Sequence, residues 1–287
     1  MTEKYSIIVS ASVGYIEGIR AFLNSFEYYH GKDIKVYLLN YDLPEDFLNE
    51  KRNIDLEIIP LDLSQNVAWA TKIERFRFAS SLDGVVMMAD ADMFFCGSMH
   101  CYFDIAKLGY IVAGSNGSNI LYGKNYTEKY GEEFVSFYNH KTITTVPLIL
   151  DVGEHGNIWQ EVYNHKKGMN ESADFNLVNL YMKKLDKLDS IISLPPQQVT
   201  NIHHFQLKPN TRVRKREGFL YTEDGLEVLM SHGLWWDKSY VDGLVSTMER
   251  YCGDWGKKCL VGAVESRDIL KKEFEGWRSY KGEKDDR

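Results

Sequence analysis

Along the chain, short apolar runs alternate with amphipathic stretches. "YSIIVSAS", from Tyr5, has a β-branched centre and ends in small polar residues, which predicts a buried strand and its loop. In the next stretch, "GYIEGIRAFLNSFEYY", residues Ile16, Ile19, Phe22, Leu23 and Phe26 recur three and four apart and mark one face of a helix. "KVYLLNYDLP" and "LEIIPLDL" predict two further strands. "ATKIERFRFASSL" has Ile73 and Phe76 at helical spacing and predicts one helix leading into a fourth strand, "GVVMMADADMFF", residues 84 to 95. Strands separated by helices predict a mainly parallel sheet with right-handed crossovers.

After about residue 115 the alternation loosens. "NYTEKYGEEFVSFYNH" predicts an amphipathic helix, "TTVPLILDVG" a strand with a glycine exit, and "SADFNLVNLYMKKL" a helix opening on Ser172 as N-cap. "VLMSHGLWWDKSY" predicts a strand followed by an aromatic loop. From about 263 a charged helix carries Ile269, Leu270, Phe274 and Trp277; its acidic residues and the final "EKDDR" predict a solvated helix.

The 287 residues suit one large α/β domain or one core with a smaller lobe. A net charge of −7 argues against a global attraction to nucleic acid or anionic membrane. One local exception is "LKPNTRVRKREG", where Lys208, Arg212, Arg214, Lys215 and Arg216 crowd together; it reads as a solvated loop, with a phosphate-rich acceptor as the alternative. Cys96, Cys101, Cys252 and Cys259 form no CxxC pair and have no histidine at zinc-finger spacing, so neither a disulfide framework nor a structural zinc is expected. The opening residues lack a signal-peptide layout, and no apolar run approaches a membrane span. A cytoplasmic protein is expected, with the sequons at Asn116, Asn125 and Asn170 occurring by chance.

The chemistry concentrates in the fourth strand. Val85 to Met88 run straight into Asp90 and Asp92, and a persisting strand places residues i and i+2 on one face. Two such carboxylates repel unless a proton or a cation lies between them. Mg²⁺ and similar hard cations are held by one or two carboxylates together with substrate phosphates. In open α/β sheets the ligand site lies outside the carboxyl ends of the strands, which is where these aspartates fall. A phosphatase of the haloacid dehalogenase type would need Thr or Val where Phe94 stands, and a nucleotidyltransferase would need further acidic ligands. A transferase acting on a nucleotide sugar, with the cation steadying the leaving diphosphate, is the third option and the one the remainder of the chain favours, with the phosphatase kept as an alternative.

Four segments in order resemble glycosyltransferase family 8, which has the A-type (GT-A) fold: a Rossmann-like, mainly parallel sheet flanked by helices. "SASVGYIEGIRAFLNS" resembles the family's opening strand–loop–helix, with Tyr15, Gly18 and Ser25 in place. "ATKIERFRF" followed by "MADADMFF" resembles its basic helix leading to D-x-D, and "DFNLVN", 174 to 179, resembles its "DQ..LN". "HGLWWDKSY" resembles "H..G..KPW", with His232 and Lys238 six apart. There are departures: Phe175 stands at the family's Gln near the reacting carbon, Trp235 at its Gly, and Ser239-Tyr240 at its Pro-Trp.

The resemblance implies a transferase moving a sugar from a nucleotide-sugar donor, UDP-linked, to an acceptor hydroxyl with retention. It implies Asp90, Asp92 and His232 as ligands of Mn²⁺ or Mg²⁺, Lys238 at the donor phosphate, and Asp174 beside the donor sugar. Tyr15 would stack on the base, and Lys72 or Arg75 would reach the donor. Asp151, at the end of its strand, is a weaker sugar contact. Residues 1–115 would form the nucleotide-sugar half, 116–245 the acceptor half, and 246–287 a helical tail. The acceptor stays open between a saccharide, a protein hydroxyl and a hydroxylated base in nucleic acid. A non-catalytic sugar-nucleotide or glycan binder of the same fold is the alternative from another class.

Overall fold

The central strand ends on a carboxylate because the apolar run before it is buried throughout. In a computed structural model that describes residues 5–115, 143–166, 175–195, 198–201, 212–243 and 256–282, β4 (Val85–Asp90) has every residue from Val85 to Ala89 enclosed. To one side it pairs in parallel with β1 (Tyr5–Ala11), whose Ile7, Ile8 and Val9 are equally enclosed. Apolar side chains on both faces are the mark of a parallel sheet covered by helices. Outward from β1, also in parallel, lie β2 (Lys35–Asn40) and β3 (Leu56–Pro60).

On the other side of β4 the direction changes. β7 (Ile143–Asp151) pairs antiparallel with β4 and with β6 (Ile111–Ser115), which in turn pairs in parallel with β8 (Ile191–Leu194). The seven-stranded order is β3-β2-β1-β4-β7-β6-β8, so the sheet is mainly parallel with one reversed strand.

Helix α1 (Ile16–His30) lays Ile19, Phe22, Leu23 and Phe26 on the sheet, as its periodicity predicts. Between β2 and β3 lies the single turn α2 (Glu45–Leu48). The single helix expected over residues 70–82 is instead two, α3 (Val67–Lys72) and α4 (Glu74–Ala79). The cause is local. Arg75 Nε donates to the Lys72 carbonyl at 3.1 Å, and the Phe76 amide turns to Ile73 O at 3.0 Å. This break gives α3 and α4 different faces to present. The remaining covering helices are α5 (His100–Lys107), α6 (Val152–His155), α7 (Asn157–Lys166) and α8 (Phe175–Lys184).

A second, three-stranded sheet joins β5 (Met93–Phe95) to β12 (Met230–His232) antiparallel, with β9 (Val199–Asn201) parallel on the far side of β12. The hairpin β10 (Val213–Arg216) and β11 (Phe219–Thr222) turns through Glu217 and Gly218, both at positive φ, the combination that two-residue hairpin turns favour.

The described part of the basic segment is therefore a strand, Val213–Arg216, where a loop was expected, and several of its charges are paired; Lys208 lies outside the described residues. Arg214 meets Glu265 and Lys215 meets Glu273, both on the last helix, α9 (Gly256–Arg278), while Arg212 and Arg214 share Glu223.

Nor is α9 simply solvated. Leu270, Phe274 and Trp277 are buried in a second core with Phe94, Val213, Leu220 and Trp235. The buried Asn24 of α1 donates to the carbonyls of Trp277 at 2.7 Å and Tyr280 at 3.1 Å, and accepts from Arg52 at 2.7 Å. It thus satisfies backbone oxygens that the end of a helix leaves open. The predicted helix within 116–142 and the N-cap Ser172 lie outside the described residues.

Two stability predictions follow from these contacts. Asn24→Ala removes three hydrogen bonds that tie α1 to the end of α9 and to Arg52, and should lower unfolding free energy by about 3 kcal/mol in urea melts. His30 is buried against Phe26 and Phe95, and its Nε2 accepts from the Met99 amide at 3.0 Å. Burial, then the neighbouring His100, push its pKa down to about 3. The unfolded chain therefore binds this proton more readily, and the stability from neutral His30, complete above pH 6.5, is lost as pH falls toward 3. Urea midpoints measured from pH 7 to 4 should fall less steeply in His30→Gln than in the unsubstituted protein.

Candidate functional site

β4 ends at Asp90, and the chain turns through Ala91 and Asp92 before β5 begins. The two carboxylates converge across this turn, and not along a continuing strand as the i, i+2 argument assumes. The turn is held from two sides. The amide of Gly233 donates to Asp92 O at 2.9 Å. On the other side the Ala91 carbonyl lies against Gly18 of α1, where an added β-carbon would come within 2.4 Å of it. Only glycine permits that approach.

Pairing of β5 with β12 sets His232 opposite Met93 and so brings it to the aspartates. His232 Nε2 is 3.1 Å from Asp92 Oδ1 and 3.8 Å from Asp90 Oδ2. Among the described residues these three form the one group whose donor atoms could share a metal ion, all within 4.8 Å of one another. The other oxygen of Asp90, Oδ1, is taken by Arg75 Nη1 at 2.5 Å. Arg75 comes from α4 and is 1% exposed, so it sits beneath Asp90.

Charge follows from this layout. Burial alone would raise the Asp90 pKa, but Arg75, His232 and Lys72 hold it below the usual carboxylate range. Burial alone would lower that of His232; Asp92 and Asp90 reverse this and push it up to about 9. Two carboxylate oxygens and one imidazole nitrogen, with Asp90 kept ionised from behind, make a donor set suited to Mn²⁺ or Mg²⁺.

The cluster forms the floor of a cleft of about 510 Å³ at the carboxyl ends of β1 and β4. Ser10, Ser12 and Tyr15 line one wall; Val67, Thr71 and Lys72 of α3 line another. Tyr15 and Val67 are exposed at its mouth. Ser10 and Ser12 were legible as small polar residues ending β1, and Thr71 stands beside Lys72 in the segment that resembles the helix before D-x-D, whereas nothing in the pattern pointed to Val67.

The predicted site residues divide. Asp90, Asp92, His232, Tyr15 and Lys72 come together in the cleft. Arg75 does not line it, and supports Asp90 instead. Asp151 is displaced. It pairs with Val85, the first residue of β4, because β7 runs antiparallel and its carboxyl end lies at the opposite edge of the sheet from Asp90. There its side chain accepts from the Glu154 amide and caps α6. Lys238 is well exposed at the start of a helical turn that Asp237 caps, paired with Asp242 and outside the cleft lining. Asp174 lies outside the described residues, and nothing is described of the Phe175 side chain.

No described helix is long and apolar enough to cross a membrane. No family model matches the chain, and no curated protein matches it in sequence. Solved structures do match in shape. The apo structure of the bifunctional glycosyltransferase WbbM shares 12% identity at a TM-score of 0.56 over 90% of this chain and 51% of its own. The apo form of glycosyltransferase GlyE from Streptococcus pneumoniae TIGR4 shares 15% at a TM-score of 0.52, over 96% of this chain and 63% of its own. An active-site mutant of LgtC shares 14% at a TM-score of 0.53, over 91% of this chain and 95% of its own. The chain thus spans about half the length of WbbM, under two thirds of GlyE and nearly all of LgtC. With its mainly parallel seven-stranded sheet flanked by helices, the chain has the GT-A fold of glycosyltransferases.

Proposed function

We propose that this chain is a metal-dependent glycosyltransferase, a distant relative of family 8, that moves a sugar from a UDP-linked donor to an acceptor hydroxyl. The observation that carries this reading is the convergence of Asp90, Asp92 and His232 on the floor of a cleft whose mouth carries Tyr15. Bound there, a divalent cation supplies positive charge to the diphosphate of the donor.

The protein's own residues do the rest. Arg75 keeps Asp90 ionised and fixes one of its oxygens, leaving the other toward the cleft side with His232. The Lys72 ammonium, in the cleft wall, takes up negative charge that grows on the leaving diphosphate. Tyr15 offers its ring to the base. The acceptor hydroxyl attacks the anomeric carbon while the bond to the diphosphate breaks, and its proton passes to the leaving phosphate on the same face. Retention follows from that geometry, with no protein nucleophile required at Phe175. Asp174 and Lys238 are assigned by resemblance to the donor sugar and the donor phosphate.

Thermal shift with UDP and a panel of UDP-sugars, with and without Mn²⁺, tests the reading. A stabilisation that needs Mn²⁺ and is lost in Asp92→Asn is expected, since a ligand of the folded state raises its stability by mass action. Turnover of the responding donor should fall by at least about 100-fold in the same variant. NMR of the product anomer should show retention; inversion would exclude same-face attack. No response to any nucleotide would sink the donor site.

Mn²⁺ affinity should also depend on pH. His232 must be neutral to ligate, yet without a cation it holds its proton up to about pH 9. Affinity measured by EPR should therefore rise with pH between 6 and 9, by up to about tenfold per unit for one displaced proton, and the slope should flatten in His232→Gln.

A further inference from the structure

Behind the cleft, the loop after β12 places Trp236 where three structural elements meet. A β-carbon at Gly18 of α1 would lie 2.5 Å from Trp236 Cζ3, so the indole rests directly on the backbone of that helix. Its ring meets Tyr15 edge-on, with centroids 5.6 Å apart and planes at 74°. On another side it meets Phe274 of α9 at 5.9 Å. Phe274 also contacts Phe94, the second residue after Asp92, at 6.2 Å. The four rings form a chain from Phe94, just past the aspartate turn, through Phe274 of the last helix and Trp236, to Tyr15 at the mouth of the cleft. Tyr15 is the one member that lines the cleft.

This arrangement constrains Tyr15 more than its own backbone does. Tyr15 ends a three-residue 3₁₀ turn, Val13–Tyr15, and its side chain is more than one-third exposed. A tyrosine on so short a turn would ordinarily sample several rotamers, and ordering it when a ligand binds costs free energy. Trp236 is itself held between Gly18 and Phe274, so the edge-on contact restricts the tyrosine before any ligand arrives.

We infer that Trp236 is a positioning residue for the donor site: wedged against Gly18 and Phe274, it pre-orients Tyr15 for stacking on the nucleobase and so makes α9 part of donor recognition. The inference rests on the donor reading above. An aromatic pair of this kind accounts for roughly threefold to tenfold in an equilibrium constant.

The test is a double-mutant cycle on UDP binding by calorimetry in saturating Mn²⁺, with Mn²⁺ binding alone followed by EPR. Trp236→Leu keeps apolar bulk on Gly18 and removes the ring; Trp236→Phe restores an aromatic edge. Trp236→Leu should weaken UDP by roughly threefold to tenfold and leave Mn²⁺ affinity unchanged, and Trp236→Phe should recover most of the loss. In a Tyr15→Ala background Trp236→Leu should have no further effect, because a residue acting through Tyr15 has nothing left to act on.

UDP binding as tight in Trp236→Leu as in the unsubstituted protein would overturn the inference while leaving the donor site intact. So would an equal loss in both backgrounds, which would mean direct contact with the nucleotide. If the unsubstituted protein binds Mn²⁺ but no UDP, the donor reading itself fails and takes this inference with it. A lower melting temperature with unchanged UDP affinity would assign Trp236 to packing alone.

Discussion

Two carboxylates one residue apart, at the end of a buried strand, are a problem in electrostatics that the surrounding protein has to solve. Neither can move away, because β4 is enclosed and its turn is held by Gly18 and Gly233. Their mutual repulsion is countered by Arg75 from beneath and His232 from the side. Each counter-charge imposes its own demand on the fold. Arg75 reaches Asp90 from the first turn of α4, and the interruption between α3 and α4 accompanies its bond to Lys72 O. His232 has to arrive from far along the chain, which the β5–β12 pairing accomplishes. Breaking a buried pair of this kind by removing one partner is costly, on the order of 3–5 kcal/mol, because the remaining charge is stranded. The same compensation leaves Asp90 ionised and both carboxylates facing the cleft, as a cation-binding site requires.

Much of the sheet was legible in the sequence because buried parallel strands announce themselves as continuous apolar runs. β1, β2 and β4 are such runs, and α1 carries a clean three-four repeat. The direction of β7 was not legible. "TTVPLILDVG" looks the same whichever way it pairs, since register and direction depend on partners that local pattern does not encode. That ambiguity misplaced Asp151: a carboxylate at the end of a reversed strand lies at the wrong edge of the sheet. The helix break at Ile73 was hidden for a similar reason, being made by a side chain–backbone bond and not by a glycine or proline.

Within the site, Asp90 and Asp92 stood out by type and spacing, while His232 gained its meaning from the order of four short segments. Arg75 shows the limit of reading charge from a helix: it looks like a surface arginine, yet it is among the most enclosed side chains described. The basic residues near 212–216 show the reverse, a conspicuous run whose Arg212, Arg214 and Lys215 lie against glutamates. Trp236 was legible only as part of an aromatic loop, because its partners lie more than two hundred residues away in one direction and about forty in the other.

The docking of α9 onto α1 has a consequence for how the protein comes into being. During synthesis the aspartate turn leaves the ribosome early, but Gly233 and His232 follow some 140 residues later, and Phe274 and the carbonyl that Asn24 satisfies come later still. The nascent chain therefore carries the acidic turn without Gly233 and His232 for some 140 of its 287 residues, and α1 without its α9 contacts for longer still. Long-range closure of this sort is slow, since the entropy of a large loop is lost before any contact repays it. A chain ending before β12 would therefore hold the seven-stranded sheet yet lack the histidine beside the two aspartates, and the contacts of Asn24 would still await α9.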